Sequence, residues 1–459
     1  MSIAPPSSLT WIDALRDRFE RMEPIRQRSR VDQVIGMVIE SRGPQVSVGD
    51  RCSVSTHRSG DITAEVVGFR GNRVLLMPLG SMEGVAPGSM VTASDEPFTV
   101  GVGKGLLGRV LNGLGEPIDG RGTLEVESRR PIYALPSDPL RRKPIRTPLP
   151  TGVRAIDALI TCGRGQRFGV FSGSGIGKSI LMGMIARHTA ADVNVIALVG
   201  ERGREVREFI ERDLGSEGMK RSVVVAVTSD QPALLRIKGG LAATTIAEYF
   251  RDRGLDVILM MDSVTRLAMA QREVGLAVGE PPTARGYTPS LFAMLPRLLE
   301  RAGSFHRGSI TGLYTVLVEG DDLNEPVADA VRSILDGHIV LSRKLAERGH
   351  YPAIDSLASL SRVMSDVVPP EHLSAAREVN RLQAVYKEAE DLINIGAYEK
   401  GSNPEIDRAV AMIEVIRKFL QQEVTVGANF EETTALLQKI AEASTTVNLP
   451  KPPPKNAPK

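Results

Sequence analysis

The run Ser172-Gly-Ser-Gly-Ile-Gly-Lys-Ser179 carries the clearest chemistry in this 459-residue chain. An apolar β-like run at 168–171 precedes it and a helical pattern at 180–188 follows. That is the setting a phosphate loop requires. Gly173, Ser174, Gly175, Ile176 and Gly177 would turn backbone N–H groups into a concavity for phosphate oxygens. The helix N-terminus adds partial positive charge there. Lys178 would reach the β- and γ-phosphates of a nucleotide, and Ser179 would ligate Mg²⁺. The strict pattern has Gly where this chain has Ser172. A Gly-rich strand–helix turn that binds nothing is the bland alternative.

Two carboxylates fit the same chemistry. Asp262 ends the apolar run 257–261, and at the tip of a buried strand it would hold Mg²⁺ through water. It would otherwise cap a turn. Glu201, in Gly200-Glu-Arg-Gly-Arg-Glu205, follows the run 193–199. Ligands of parallel sheets gather beyond the carboxyl ends of strands, so Glu201 would polarise an attacking water. Arg202 and Arg204 would orient Glu201 or contact phosphate. The same residues also read as a surface ion-pair turn, and spacing leaves both readings open. Charge on a transferring phosphoryl group still needs neutralising. An arginine from a neighbouring subunit is one solution, but pattern alone does not choose among the many arginines.

These residues need elements to hold them. Residues 151–350 alternate apolar runs (168–171, 193–199, 222–227, 255–261, 309–319) with helical patterns. Runs apolar on both faces imply a parallel sheet covered by helices, an α/β core. Residues 31–100 change to period two, with strands expected at 31–39, 51–55, 64–69, 73–77 and 89–92. Their even spacing suggests a small closed β-barrel, read as an assembly domain. Residues 1–30 are read as a separate helical extension. Leu9, Ile12, Leu15, Phe19 and Met22 form its apolar stripe, and it would pack at home, on a partner helix or on an anionic membrane. Arg26, Arg28 and Arg30 lean toward the membrane. Residues 101–150 read as a connection that leads into the core, which as a whole spans 101–365. Residues 366–447 read as a helical domain, and the Pro/Lys-rich tail 448–459 as disordered.

Composition bounds the function classes. Lys+Arg of 57 against Asp+Glu of 55 gives a net charge of +2, which excludes a chain-wide basic coat for nucleic acid. Aromatic residues are only 4%, too few for a stacking platform. A motor acting on RNA with a Rho-like core is therefore disfavoured. With hydrophobic residues at 42%, wholesale disorder is excluded. The two cysteines, Cys52 and Cys162, make no disulfide framework, and a reducing cytoplasm is expected.

Several motifs together resemble a known family. They are the phosphate loop, Gly-Glu-Arg-Gly-Arg-Glu, Met261-Asp-Ser-Val-Thr-Arg266, Glu319-Gly-Asp-Asp-Leu-Asn-Glu-Pro326 and Asp336-Gly-His-Ile-Val-Leu-Ser-Arg343. The chain is similar over about 30–420 to hexameric ATPases related to the catalytic subunit of rotary ATP synthase. Within them it resembles the protein-export ATPases of the flagellum and of the type III secretion injectisome. Ala270-Gln-Arg-Glu273 and Gly279-Glu-Pro-Pro-Thr-Ala-Arg-Gly-Tyr287 carry that branch. Met77-Pro-Leu-Gly-Ser-Met-Glu-Gly84 and Ile395-Gly-Ala-Tyr-Glu-Lys-Gly-Ser402 favour the flagellar form.

The resemblance implies a RecA-like P-loop core, an N-terminal β-barrel and a C-terminal helical domain, with ATP and Mg²⁺ as ligands. It makes Glu201 the catalytic glutamate, Arg362 the arginine finger across a subunit interface, and Tyr351 the aromatic packed on adenine. It implies a homohexamer and no nucleic-acid partner. The implied partners are a regulatory stator protein at the N-terminal helix, a central stalk protein, chaperone–cargo complexes and an export gate. The implied location is cytoplasmic, at the inner face of the membrane beneath the flagellum. The loop 280–289 would face a central channel or simply pack.

Overall fold

Short strands close on themselves between Arg28 and Ser94. β1 (Arg28–Ile35), β2 (Val38–Ser41), β3 (Arg51–Ser55), β4 (Asp61–Arg70), β5 (Arg73–Pro78) and β6 (Met90–Ser94) form a closed barrel. Its order is β1-β2-β5-β4-β3-β6, and β6 pairs back onto β1. Val31, Ile39, Val54, Val66, Leu76 and Val91 fill it. The computed structural model describes residues 16, 27–57, 60–94, 96–318, 320, 322 and 324–447. The expected N-terminal apolar stripe and the Pro/Lys tail lie outside the described residues.

Two expectations change in this unit. The single strand expected at 31–39 is a hairpin, because Gly36-Met37 turns the chain between β1 and β2. Arg28 and Arg30 do not belong to a membrane-facing extension. They are β1 residues, paired with Thr92 and Met90 of β6.

The chain divides into compact units at Met1–Phe98 and Thr99–Lys459. The second is built on a nine-stranded sheet. Its strands are β8 (Val110–Leu111), β10 (Arg167–Ser172), β11 (Val193–Glu201), β12 (Ser222–Thr228), β13 (Asp256–Asp262), β14 (Gly303–Ser304), β15 (Ser309–Leu317), β16 (Gly337–Leu341) and β17 (Ile354–Ser361). The order is β17-β16-β10-β15-β13-β11-β12-β8, with β14 beside β15. β11 is buried along its whole length, as a strand covered on both faces must be. The sheet is not wholly parallel: β17 and β14 run antiparallel to their neighbours.

The stretch 101–150 is more than a connection. β7 (Thr99–Val102) and β9 (Ser128–Pro131) pair as a ribbon, and β8 extends the central sheet by pairing with β12. Two-residue β8 is too short to be read from period-two patterning.

Helices Pro370–Asn394, Pro404–Leu420 and Phe430–Thr445 occupy the C-terminal region. Val379, Leu382, Ile416 and Leu437 join the same hydrophobic cluster as Phe168, Ile196 and Met260 of the sheet. His372 ties the first of these helices to the core through its ring Nε2 and Ala158 O, 2.8 Å apart.

One close approach fixes the helix Lys178–His188 that follows the phosphate loop. A Cβ at Gly183 would lie 2.5 Å from Asp213 O, in the π-helical stretch Phe209–Leu214. Gly183→Ala therefore overpacks this seam. The expected loss is about 1–3 kcal/mol, read as a lower denaturation midpoint. An unchanged midpoint would mean that the π-helical stretch yields without cost.

Candidate functional site

Four parallel strands, in the order β10-β15-β13-β11, end at one edge of the sheet. β10 ends in Ser172, β13 in Asp262 and β11 in Glu201. Strand spacing of about 4.8 Å therefore brings Asp262 and Lys178, which follows β10 and lies 84 residues away in sequence, within side-chain reach. Ser172 is the last residue of its strand, in ordinary extended pairing with Leu317. That is why Ser stands there without needing glycine's conformational freedom. Glycine is required later, at Gly177, which caps the helix Lys178–His188 with φ 101°.

Lys178 lies between the two carboxylates. Its Nζ donates to Asp262 Oδ1 and lies 3.8 Å from Glu201 Oε1. Asp262 Oδ1 also accepts from the Thr315 hydroxyl, 2.8 Å away on β15. Both acidic residues are buried, Asp262 at 2% exposure and Glu201 at 8%. Glu201 Oε1 has no hydrogen-bond partner. Burial, then repulsion from Asp262, pushes the Glu201 carboxyl up to about 7, against the pull of Lys178. A hydrogen bond between the Glu201 and Glu205 carboxyls adds to the rise and holds Glu205 below the usual range.

Arg202 and Arg204 do not orient Glu201. They pair with Glu205 and Glu208 at 3.5 and 2.9 Å, with side chains 77% and 84% exposed. Arg202 is the extended residue before the helix Gly203–Glu208 and borders the phosphate-loop cavity, whereas Arg204 lies within that helix and is exposed. Arg266 takes the orienting place, with Nε 3.7 Å from Glu201 Oε1. Its side chain also packs against Gly200, where φ is 72° and a Cβ would meet Arg266 at 3.0 Å. Arg266 stands in the first turn of the helix Val264–Val278. A cation there opposes the helix dipole, which was the available signal for it. Arg343 was also not singled out; its Nη2 donates to Ser174 O at 3.3 Å.

A cavity of about 430 Å³ opens over the loop, lined by Gly175, Lys178, Ser179, Glu201, Arg266 and Tyr351. Gly173, Ser174 and Gly177 line it as well. Ile176 instead faces an adjoining apolar cavity of about 330 Å³, which Tyr351 also borders. The phosphate-loop residues, Glu201 and Tyr351 thus share one place, with Asp262 bound to Lys178 at its floor.

Arg362 is not there. Its backbone N–H donates to Asp336 O, and Asp336 N–H donates to Arg167 O at the start of β10. Five residues of β10, about 16 Å at 3.3 Å each, separate that level from Ser172. Arg362 is exposed at the opposite edge of the sheet from its own phosphate loop.

The donor set suits a hard cation carried with phosphates. Among the described residues, no cluster of three His, Cys, Asp or Glu side chains forms a metal cage. A serine hydroxyl and a carboxylate next to a phosphate cradle match the way Mg²⁺ is held, with water and substrate oxygens completing its shell. The loop 280–289 has an exposed tip and an anchored end, where the buried Tyr287 hydroxyl donates to Glu325 at 3.0 Å. No helix among the described residues is long and apolar enough to cross a membrane.

Comparison with known proteins follows the same division. Residues 31–95 match the beta-barrel domain of the ATP synthase alpha/beta family, and 152–361 match that family's nucleotide-binding domain. Residues 368–439 match the T3SS EscN ATPase C-terminal domain. The flagellum-specific ATP synthase of Bacillus subtilis is 55% identical over 93% of this chain and 98% of its own length. The assembled ATPase EscN of the enteropathogenic E. coli type III secretion system superposes with a TM-score of 0.86. It is 47% identical and covers 90% of this chain and 100% of its own. EscN in complex with its central stalk EscO gives a TM-score of 0.83 at 46% identity, over 90% of this chain and 100% of its own. With its fold, its phosphate-loop cavity and relatives this similar over most of its length, the chain belongs to the family of flagellum-specific and type III secretion ATPases.

Proposed function

We propose that this ATPase works as a homohexameric ring in flagellar type III export, with each catalytic site completed by a neighbour's Arg362. The observation that carries the ring is the position of Arg362. Everything else the reaction needs gathers at one edge of the sheet, and the finger lies at the other. One chain cannot bring it to its own loop, but an identical neighbour can. The flagellar assignment rests on the resemblance of the motifs at 77–84 and 395–402 to the flagellar form, with 55% identity to a flagellum-specific relative against 52% to a type 3 secretion system ATPase. A central stalk partner is inferred from the EscN–EscO complex. A stator protein at residues 1–30, chaperone–cargo complexes on 366–447 and an export gate at the membrane are inferred from the family resemblance, as is the cytoplasmic position.

The roles proposed for the site follow from charge. Backbone N–H groups of the loop and the helix N-terminus bind phosphate oxygens. Lys178, now shared between Asp262 and Glu201, turns part of its charge toward those oxygens. Glu201 is then left with less cationic compensation and with a buried Oε1 that has no hydrogen-bond partner, which suits a group that orients and deprotonates water. Arg266 holds its carboxylate in place. Mg²⁺, held by Ser179 and through water by Asp262, would supply charge neutralisation for the phosphates. Tyr351 borders the base.

Lys178→Ala should abolish nucleotide binding or turnover, read by equilibrium binding and phosphate release. Glu201→Gln should retain ATP binding and lose at least about a hundredfold in turnover; normal hydrolysis would remove Glu201 from the base role. Glu201 must be ionised to act, and its carboxyl titrates near 7. Turnover should therefore rise with pH through about 7, where it is half-maximal, and level off about one pH unit above. The residual rate of Glu201→Gln should lack that limb. Arg362→Ala should lose about a thousandfold in turnover. Mixing it with Lys178→Ala should restore activity, because each supplies what the other lacks. No recovery in mixed assemblies would place the finger elsewhere.

A further inference from the structure

A separate cavity, of about 160 Å³, adjoins the start of the phosphate loop. Gly173 lines both this cavity and the nucleotide cavity, so the two meet the loop at its first glycine. A single water needs about 10–15 Å³, so a small polyatomic ion fits. Ser172 lines the cavity too, at the position where the strict loop pattern has Gly. The residue is 2% exposed, and its hydroxyl has no hydrogen-bond partner. Its carbonyl is used in the sheet, where it accepts from Val318 N at 3.0 Å. A buried hydroxyl without a partner is costly, and a polar ligand in the cavity relieves that cost.

Two cations border the same space. Arg343 and Lys344 line it and are exposed. Among the described residues, neither pairs with a carboxylate. Arg343 Nη2 donates to Ser174 O, which leaves most of the guanidinium's donors for a ligand. Asp355 is the one acid in the lining. Its Oδ1 accepts from Leu357 N and Ala358 N at 3.0 and 3.1 Å, and its Oδ2 accepts from Lys387 Nζ at 3.5 Å. A carboxylate has about four acceptor sites, so one stays open.

We propose that this cavity binds hydrogen phosphate. Arg343 and Lys344 meet its charge, the Ser172 hydroxyl donates to one oxygen, and Asp355 accepts from the P–OH group. The contact with Asp355 sets the chemical class. An ionised carboxylate only accepts, so it selects an oxyanion that can still donate. Hydrogen phosphate carries a proton at neutral pH. Sulfate carries none and meets Asp355 only with repulsion. The ion is the product of the hydrolysis proposed above, but the site does not depend on that reading.

The test is equilibrium dialysis of labelled inorganic phosphate against the full-length protein, with the nucleotide cavity filled by a non-hydrolysable ATP analogue and Mg²⁺. One phosphate per chain is expected beside the analogue, bound at least about tenfold tighter than sulfate in competition. Ser172→Ala should weaken it by about tenfold. Lys344→Ala should weaken it while the analogue binds as before. Asp355→Asn should erase the preference over sulfate. The same measurement in Lys178→Ala, whose loop site is disabled, keeps the two readings apart. Phosphate held there supports this site even if no analogue binds to either protein. No phosphate beside the analogue and none in Lys178→Ala overturns the inference. Equal affinity for sulfate also overturns it, as does binding unmoved by both Ser172→Ala and Lys344→Ala, which would mean an adventitious ion only.

Discussion

One ammonium group serves two buried carboxylates, and the rest of the site is arranged around that shortage of charge. Lys178 donates to Asp262 and lies within 4 Å of Glu201. Neither acid is exposed enough for water to replace it. Burial of two acids around one ammonium, with the Arg266 guanidinium beside Glu201 alone, is costly unless every partner is placed, so the geometry tolerates little slack. The shortfall falls on Glu201, whose carboxyl is raised while Asp262 keeps Lys178 and the Thr315 hydroxyl. An acid raised to about neutrality is suited to taking a proton from water.

That placement depends on the sheet. The loop, Asp262 and Glu201 come from three strands spread over about 95 residues of sequence, and only parallel pairing in the order β10-β15-β13-β11 sets their ends close together. The loop's helix is held from behind by the contact of Gly183 with the π-helical stretch. The C-terminal helices share the same hydrophobic cluster. Their following segment, through Gln422 and Val424, forms a wall of the apolar cavity beside the loop. The nucleotide cavity is therefore bordered by sequence from Gly173 to Val424.

Much of this was legible beforehand because its signals are local. The phosphate loop is contiguous, with glycines for the turn and a helix behind it. The long core strands announce themselves as apolar runs, since burial on both faces leaves no alternation. The barrel's strands show in period two with Gly and Pro between them. Where signals are not local, sequence pattern does not carry them. The hairpin at Gly36 looked like one strand, because both arms keep the same alternation. β8 was absorbed into a linker, because two residues have no period. Arg202 and Arg204 looked like partners of Glu201, because they are its neighbours in sequence.

The residue types and their spacing were enough to determine a phosphate loop, an acid at the end of a buried strand and a barrel–core–helix order, since backbone conformation and burial act through near neighbours. Tertiary structure alone decided which charges meet. It put Lys178 between Asp262 and Glu201, chose Arg266 over Arg202 and Arg204 and left Arg362 at the far edge. Electrostatics and hydrogen bonding act through space over a few ångströms. Strand order and register set those distances, and they are properties of the whole sheet.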